Sequence, residues 1–379
     1  MEKVKRIVFV SEMRNPKTHA SSTQIMTRNL LYGFNMLCDE LIYVAVVENL
    51  ADSTDIESYY AGLFSHIYFV KEQARHKNNI VLRQLCWLWD VYFPSRYREP
   101  SEIFQYLDTE TILISQSPGI DAALICKNIK ARRPNTYYVQ YWGDPLALSL
   151  ITPRELTYKR LFLKLVEQRL HLFADRIVYG THSLYKAQIE IFPEITDKTS
   201  ACGVCYMPDS IQRPRNDRMR LFGYFGNYYS SIRNLLPLYD AFSELENADL
   251  VICGLSDCEL KEKSNIRILQ RIPQSEVEEE EAKVDIEVCV LNRKGIQIPG
   301  KLFYHTNTEK HILVLKDGPV KDDVSAELSK SERFIFCENN KEDIKNVVKR
   351  ILRGEFDRAV YTSDDFCPQK VCSEIIGQV

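Results

Sequence analysis

Short, unbroken apolar runs, each followed by a longer stretch of helical periodicity, recur along the whole of this chain. No other feature constrains the fold as tightly. A strand buried on both faces has no polar side to show, so it reads as a continuous apolar run. A sheet built from such strands must be covered by helices on both sides, and the crossovers through those helices make the strands parallel. In the first half the runs are residues 6–10, 41–47, 66–70, 111–115, 136–141 and 176–179, with helical patterns over 24–37, 120–131 and 155–173. In the second half they are 221–225, 249–253, 266–269, 286–291, 311–315 and 334–337, with helices over 235–245, 274–281, 301–306 and 341–353.

A chain of 379 residues exceeds one ordinary core and accommodates two domains. The polar, proline-containing segment 208–220 (PDSIQRPRNDRMR) reads as the linker between them. The expected fold is α/β, with two Rossmann-like domains facing across a cleft. Residues 1–207 form the first domain and 221–365 the second, and a helix within 366–379 returns to the first.

Several function classes are disfavoured. Lys and Arg number 49 against 52 Asp and Glu, a net charge of −3, which argues against a general nucleic-acid binder. No apolar run approaches the roughly 20 residues of a membrane span. Residues 4–10 are too short for a secretory signal and fit a first buried strand. Eleven scattered cysteines suit free thiols in a reducing cytoplasm. Cys202 and Cys205 form a lone CxxC, without the second pair that zinc requires. The acidic run 276–281 reads as a solvated helix face, and no metal site is expected.

In open parallel sheets ligands sit beyond the carboxyl ends of the strands, and four segments place suitable chemistry there. Segment 296–315 (IQIPGKLFYHTNTEKHILVL) reads as a loop, a helix start at Lys301 and a buried strand. A helix start offers free backbone N–H groups, and with a cation it suits a diphosphate. After the run 221–225, Gly226 and Asn227 end the strand and Arg233 precedes the next helix, where a guanidinium can clamp phosphate. The run 136–141 ends in Trp142, Gly143, Asp144 and Pro145, which sets Asp144 at a strand end; an ordinary turn would use it as a hydrogen-bond acceptor instead. Ser22, Thr23 and Gln24 follow the first strand, where Ser22 or Thr23 could cap the first helix or touch a substrate hydroxyl. A further segment, 82–98, interleaves Trp87, Trp89, Tyr92, Phe93 and Tyr97 with Arg83, Arg96 and Arg98. It reads either as core or as a contact with an anionic membrane surface.

These segments, in this order, resemble GT-B glycosyltransferases, and in particular the family-4-like retaining enzymes that build bacterial surface polysaccharides. QIPGKLF at 297–303 is similar to the family's IPGKLFEY helix start, YFGN at 224–227 with Arg233 and Asn234 to its YFG…RN loop, ADRIV at 174–178 to a late strand of the first domain, and Gly143-Asp144-Pro145 to its RDPW turn. The resemblance implies a nucleotide-sugar donor held by Gly226, Asn227, Arg233, Arg271, Ile272, Ile298, Pro299, Gly300, Lys301 and Tyr304, the nucleobase falling near Ile272. It implies acceptor contacts from Ser22, Thr23, Gln24, Trp142 and Asp144. Arg233 and Lys301 would stabilise the leaving diphosphate and Asp144 would contact acceptor or sugar, with no metal and no cofactor beyond the nucleotide-sugar substrate. The chain departs from the pattern where Tyr304 and Ile296 stand at the family's two Glu positions, where Thr308–Glu309–Lys310–His311 replaces TGKP, and where Asn227 takes the place of the loop arginine.

The expected function is therefore transfer of a sugar to a lipid-linked or protein-linked glycan, in the cytoplasm, with peripheral contact at the inner membrane face. A non-catalytic GT-B subunit that stabilises or targets a partner transferase is the alternative, and a sugar-nucleotide epimerase the third reading.

Overall fold

The structure, a computed structural model, describes residues 3–17, 21–73, 80–93, 95–117, 119–148, 157–206 and 220–377. It divides into two units, Met1–Met207 with Asp365–Val379, and Pro208–Asp364. Of the linker segment 208–220, only Arg220 lies within the described residues.

The first unit runs β1 (Val4–Met13), α1 (Ser22–Leu37), β2 (Cys38–Val47), α2 (Ser53–Tyr59), β3 (His66–Lys71), α3 (Ile80–Tyr92), β4 (Thr111–Ser117), α4 (Ile120–Arg132), β5 (Tyr137–Trp142), α5 (Thr157–His171), β6 (Arg176–Tyr179), α6 (His182–Ile191) and β7 (Thr199–Ala201). Its seven strands are all parallel, in the order β3-β2-β1-β4-β5-β6-β7. The order reverses between β1 and β4. Both central strands are largely buried because α1 and α4 cover the sheet there, and α4 is itself buried from Ile120 to Ile129.

The second unit runs β8 (Leu221–Phe225), α7 (Leu236–Phe242), β9 (Asp249–Cys253), β10 (Ile266–Leu269), α8 (Gln274–Lys283), β11 (Ile286–Val290), α9 (Lys301–Tyr304), β12 (His311–Lys316), α10 (Lys321–Leu328), β13 (Phe334–Glu338) and α11 (Lys341–Leu352). Its six strands are also parallel, in the order β10-β9-β8-β11-β12-β13. Here the reversal lies between β8 and β11. One face buries a large core that includes Phe222, Phe242, Ile252, Leu313 and Val348. The other carries only a small apolar cluster of Phe225, Val251, Cys253 and Val284.

The last helix, α12 (Pro368–Ile376), belongs to the first unit and lies on α1. A Cβ on Gly33 would stand 2.4 Å from Cys372 Sγ and 2.7 Å from the Pro368 carbonyl, so α1 needs glycine there to let α12 approach. The CxxC thiols are buried beside the same helix: Asn29 donates to the Cys205 carbonyl at 2.7 Å, and Cys372 Sγ reaches the Leu30 carbonyl. Burial holds the Cys202 and Cys372 thiols well above their usual range. Among the described residues no group of three or more His, Cys, Asp or Glu is placed to hold a metal ion, and no helix is long and apolar enough to cross a membrane.

Helix α1 corrects one sequence expectation. Its N-cap is Ser21, not Ser22 or Thr23: Ser21 Oγ accepts the Gln24 N–H, and Gln24 Oε1 accepts the Ser21 N–H at 3.0 Å. This is a reciprocal capping box, and it takes a Gln three residues after the cap.

Candidate functional site

In the second unit the chain leaves β8 and β9 through two glycines that only glycine could supply. Gly226 has φ +152° and Gly254 φ +147°. A Cβ on Gly254 would lie 2.1 Å from the Gly226 carbonyl oxygen, so the two loops touch backbone to backbone. Asn227 fastens them further, its Oδ1 accepting the Leu255 N–H at 3.1 Å.

Arg233 lies in the turn that follows. Its Nε donates to Asn292 Oδ1 at 2.8 Å, and Asn292 Nδ2 donates to the Gln297 carbonyl at 2.7 Å. The Arg293 N–H donates to the Ile232 carbonyl, also at 2.7 Å. This relay fixes Arg233 beside the loop that leads to Lys301. Burial raises the Tyr224 phenol to about 12, while the neighbouring Arg233 guanidinium pulls it the other way.

Lys301 opens α9, and its Nζ stands 5.6 Å from the Phe225 ring centre. Both cations bear on Cys289, the buried thiol near the end of β11: burial pushes it up to about 12, and Arg233 first, then Lys301, act against that rise. Arg233, held on Asn292, and Lys301, at the start of α9, thus both follow the carboxyl end of β11, next to the switch between β8 and β11 where an open sheet takes its ligand.

Two expectations change here. The helix at Lys301 is a single turn, and the N–H groups of Leu302, Phe303 and Tyr304 are already spent on the Pro299 and Gly300 carbonyls. Its dipole is slight, so the positive character of this edge comes from side chains. The acidic run is also not wholly solvated. Glu276, Glu278 and Glu279 are exposed, but Glu281 is buried and ion-paired with Lys301.

Beneath this pair lies a charged layer. His305 Nε2 is 4.0 Å from Glu281 and 3.8 Å from Glu287, and the buried Lys310 donates to the Glu281 carbonyl. Burial alone would raise the Glu281 carboxyl, but Lys301, His305 and Lys310 outweigh it and hold the group below its usual range. Burial, reinforced by Glu281, lifts Glu287 to about 8. Burial lowers His305 to about 4, which leaves the imidazole neutral at pH 7.

The other donor-site candidates surround this centre. Pro299 is buried; Ile298 and Gly300 are half-buried. The Tyr304 ring folds over Gly300, its atoms 3.1–3.2 Å from where a Cβ would stand. Arg271 is exposed, and Ile272 packs partly buried against the Phe225 cluster.

In the first unit, Trp142 lies in the core. It is fully buried, its Nε1 donates to Gln140 Oε1 at 3.2 Å, and its ring meets His171 edge-on at 5.0 Å. Burial lowers the His171 imidazole to about 3, so it is neutral. Asp144 is half-buried just beyond β5. Its turn is tied down by Glu167 of α5, a buried carboxyl that accepts the N–H groups of Leu146 (3.3 Å) and Ala147 (2.8 Å) and the Gln188 amide (3.2 Å). Burial pushes Glu167 up to about 7 despite those bonds. Ser22 is exposed, Thr23 is half-buried, and Gln24 is buried with its Nε2 on the Arg14 carbonyl at 2.7 Å. Thr23 and Gln24 line a cavity of about 180 Å³ at the ends of β1 and β4.

No protein-family profile and no curated protein matches the chain. Solved structures do. The chain is similar to a glycosyltransferase from Rickettsia africae ESF-5, with TM-score 0.60 and 11% identity over 99% of both chains. It is similar to HepE of Anabaena in complex with UDP and glucose, with TM-score 0.57 and 10% identity over 98% of this chain and 96% of that one. The fold is GT-B. A UDP-N-acetylglucosamine 2-epimerase shares it, with TM-score 0.53 and 10% identity over 99% of this chain and 95% of that one.

In this GT-B chain the aromatic segment 82–98 divides between core and surface. Trp87 stacks on Phe162 of α5 at 6.2 Å, and Tyr97 is buried. Trp89 (56% exposed), Tyr92 (50%) and Phe93 (50%) face outward, with Leu85 on the same helix and Leu161 and Leu165 on the neighbouring α5. Arg96 is bound at 3.0–3.1 Å to the buried Asp90, Arg98 is exposed, and the side chain of Arg83 lies outside the described residues.

Three side chains that position the candidate site escape a reading of the sequence: Asn292, Glu281 and Glu167. Asn292 had a usable signal, a lone amide directly after a buried strand. Glu167 also had one, an acid inside the apolar face of a helix. Glu281 had none, because it sits within a run of identical residues.

Proposed function

We propose that this protein is a glycosyltransferase that takes a sugar from a nucleotide-diphosphate donor held by the second unit and passes it to a glycan acceptor held by the first. The observation that carries the reading is a pair of cations beyond the end of β11 in a GT-B fold, Arg233 fixed on Asn292 and Lys301 at the start of α9. Departure of the sugar leaves negative charge on the diphosphate, and preorganised cations at that position stabilise the transition state. Two fixed cations do the work a divalent ion does elsewhere, so the reaction is metal-independent. Gly226, where a Cβ would meet only the Tyr224 hydroxyl at 3.7 Å, leaves room for the diphosphate against bare backbone. Ile298, Pro299, Gly300 and Tyr304 flank it, and Arg271 and Ile272 lie toward the base. HepE was solved with UDP, which makes uridine the first base to test. Asp144 serves the acceptor or the transferred sugar, and transfer with retention is part of the proposal.

Titration calorimetry with UDP, GDP and CMP, followed by transfer assays on Arg233→Ala and Lys301→Ala, tests it. Each substitution should lower kcat by about 10²–10³-fold. Transfer at the wild-type rate in the double variant would refute the assignment.

One observation favours a second reading, a non-catalytic subunit. Tyr304 stands where the resembled family has a ribose-binding Glu, and its ring covers Gly300. Failure to bind any of the three nucleotides, with co-purification of a second transferase, would support it. Release of free nucleotide from a nucleotide-sugar without acceptor would instead favour an epimerase. The outward aromatic face of α3, with Arg98 nearby, is proposed to rest on an anionic membrane surface at the cytoplasmic side, where lipid-linked glycans are built.

A further inference from the structure

Lys301 has one charge, and the structure already spends it. Its ammonium pairs with Glu281 of α8, whose side chain is 10% exposed against 36% for the lysine. In the proposed transferase the same ammonium meets the leaving diphosphate, which carries more charge than a carboxylate. Whatever share of Lys301 the diphosphate takes, Glu281 loses, and a buried carboxylate with a weakened partner is costly.

The layer beneath holds a group able to make up that loss. His305, on the turn after α9, is 9% exposed, and its Nε2 lies 4.0 Å from Glu281 and 3.8 Å from Glu287 of β11. An imidazolium there would face a carboxyl on each side, and Glu287 Oε1 is buried without a hydrogen-bond partner. Two further cations are anchored on the backbone. Lys310 Nζ donates to the Glu281 carbonyl at 2.5 Å, and the Arg333 guanidinium donates to the Lys310 carbonyl at 2.8 Å and to the Tyr361 carbonyl. The charged and titratable groups facing His305 are therefore Glu281 from α8, Glu287 from β11, Lys301 from α9, and Lys310 and Arg333 from the segments that lead into β12 and β13.

Burial keeps the imidazole neutral; Glu281 works against it, while Lys301, Lys310 and Arg333 reinforce it. A diphosphate on Lys301 offsets one of those three cations and leaves Glu281 in need of a counter-charge. Both changes favour the charged imidazole.

We propose that binding of a nucleoside-diphosphate sugar at Lys301 draws a proton from solvent onto His305, which takes over as the counter-charge of Glu281. The ligand rests on the transferase reading; the proton rests on this charged layer. Uptake of a proton on binding makes donor affinity fall as pH rises, by up to about tenfold per pH unit.

The test is titration calorimetry of the full chain with UDP-glucose and GDP-mannose, whose diphosphate diesters do not themselves titrate between about pH 5 and 8, where an imidazole does. Affinity is followed across that range, and at about pH 6.5 the heat is compared in Pipes and Bis-Tris, which differ in ionisation heat. The enthalpy should differ between the buffers in the sense of proton uptake, and Kd should rise with pH. His305→Gln should bind with the same enthalpy in both buffers and a flattened pH dependence. A buffer-independent enthalpy in the wild type, release of a proton instead of uptake, or uptake unchanged in His305→Gln would each overturn the proposal. Should His305→Gln fail to fold, Glu281→Gln leaves no carboxylate in need of a counter-charge and must lose the uptake; uptake retained in that variant would overturn the proposal equally. Failure of both nucleotide-sugars to bind removes the donor-site reading and this inference with it, whereas binding without proton uptake removes the inference alone.

Discussion

Replacing Lys301 by Met leaves Glu281 as a buried carboxylate with its strongest partner gone. The ammonium is 36% exposed and the carboxylate 10%, so the pair lies between two limits. A fully exposed pair is worth about 0–1 kcal/mol, and stripping one partner from a fully buried pair costs about 3–5 kcal/mol. His305 is neutral and 4.0 Å away, but Lys310 still neighbours the acid, which points to about 2 kcal/mol. In a unit the size of Pro208–Asp364 each kcal/mol moves Tm by about 2–4 °C, so Lys301→Met should lower it by about 4–8 °C. Adding Glu281→Gln removes the stranded charge and should return most of that loss, because replacing both members of a buried pair is close to neutral. Differential scanning fluorimetry of wild type, both single variants and the double measures the cycle. A Lys301→Met protein that melts with the wild type, or a double variant no more stable than Lys301→Met, would refute the reasoning. The same cycle separates structure from chemistry. A double variant that regains its Tm but not its sugar transfer assigns Lys301 to the leaving diphosphate; one that regains both makes the lysine a structural counter-charge.

Glu287 gives a pH dependence with a definite sign. Its folded pKa, about 8, lies above the ordinary glutamate value, so its contribution is complete below about pH 4 and is lost as pH rises toward 8. Thermal melts across that range should show falling stability, and Glu287→Gln should flatten the slope; an unchanged slope would remove Glu287 as its source. Glu281, held low, acts oppositely, and its contribution is lost only as pH falls through its depressed pKa. Gly254→Ala places a Cβ 2.1 Å from the Gly226 carbonyl at φ +147°, which should cost about 2–4 kcal/mol and weaken UDP binding; a wild-type melt and UDP isotherm would contradict it. Trp89→Glu with Phe93→Glu should abolish co-sedimentation with phosphatidylglycerol vesicles while leaving Tm within about 2 °C, since both side chains are half exposed. A wild-type protein that ignores such vesicles would dismiss the membrane contact.

The fold was legible because buried parallel strands carry their signature locally. Runs such as 41–47 and 311–315 have no other stable use. Apart from α3, which reads only as an aromatic and basic segment, the elements that went unread are short or polar. β7 is three residues at a sheet edge, α10 (KDDVSAEL) buries only Val324 and Leu328, and α6 buries Ser183 and Gln188 beside Leu184. The chemistry divides in the same way. Arg233 and Lys301 stand out because cations beyond strand ends are conspicuous in a sequence. Their partners Asn292 and Glu281 become meaningful only once β11, α8 and α9 are in place, since a carboxylate's burial is set by what packs over it. Trp142 shows the converse: position beside a strand end suggests a ligand, and packing against His171 makes it core.

Helix α12 follows the whole second unit in sequence, yet it completes the first unit, burying Val371, Cys372, Ile375 and Ile376 as it packs on α1. During synthesis the groove over Gly33 must therefore stand open while all of residues 208–364 are being made. The first unit reaches its final form only after the second has left the ribosome. The time the second takes to emerge thus sets how long an apolar groove stays available to chaperones or to wrong partners.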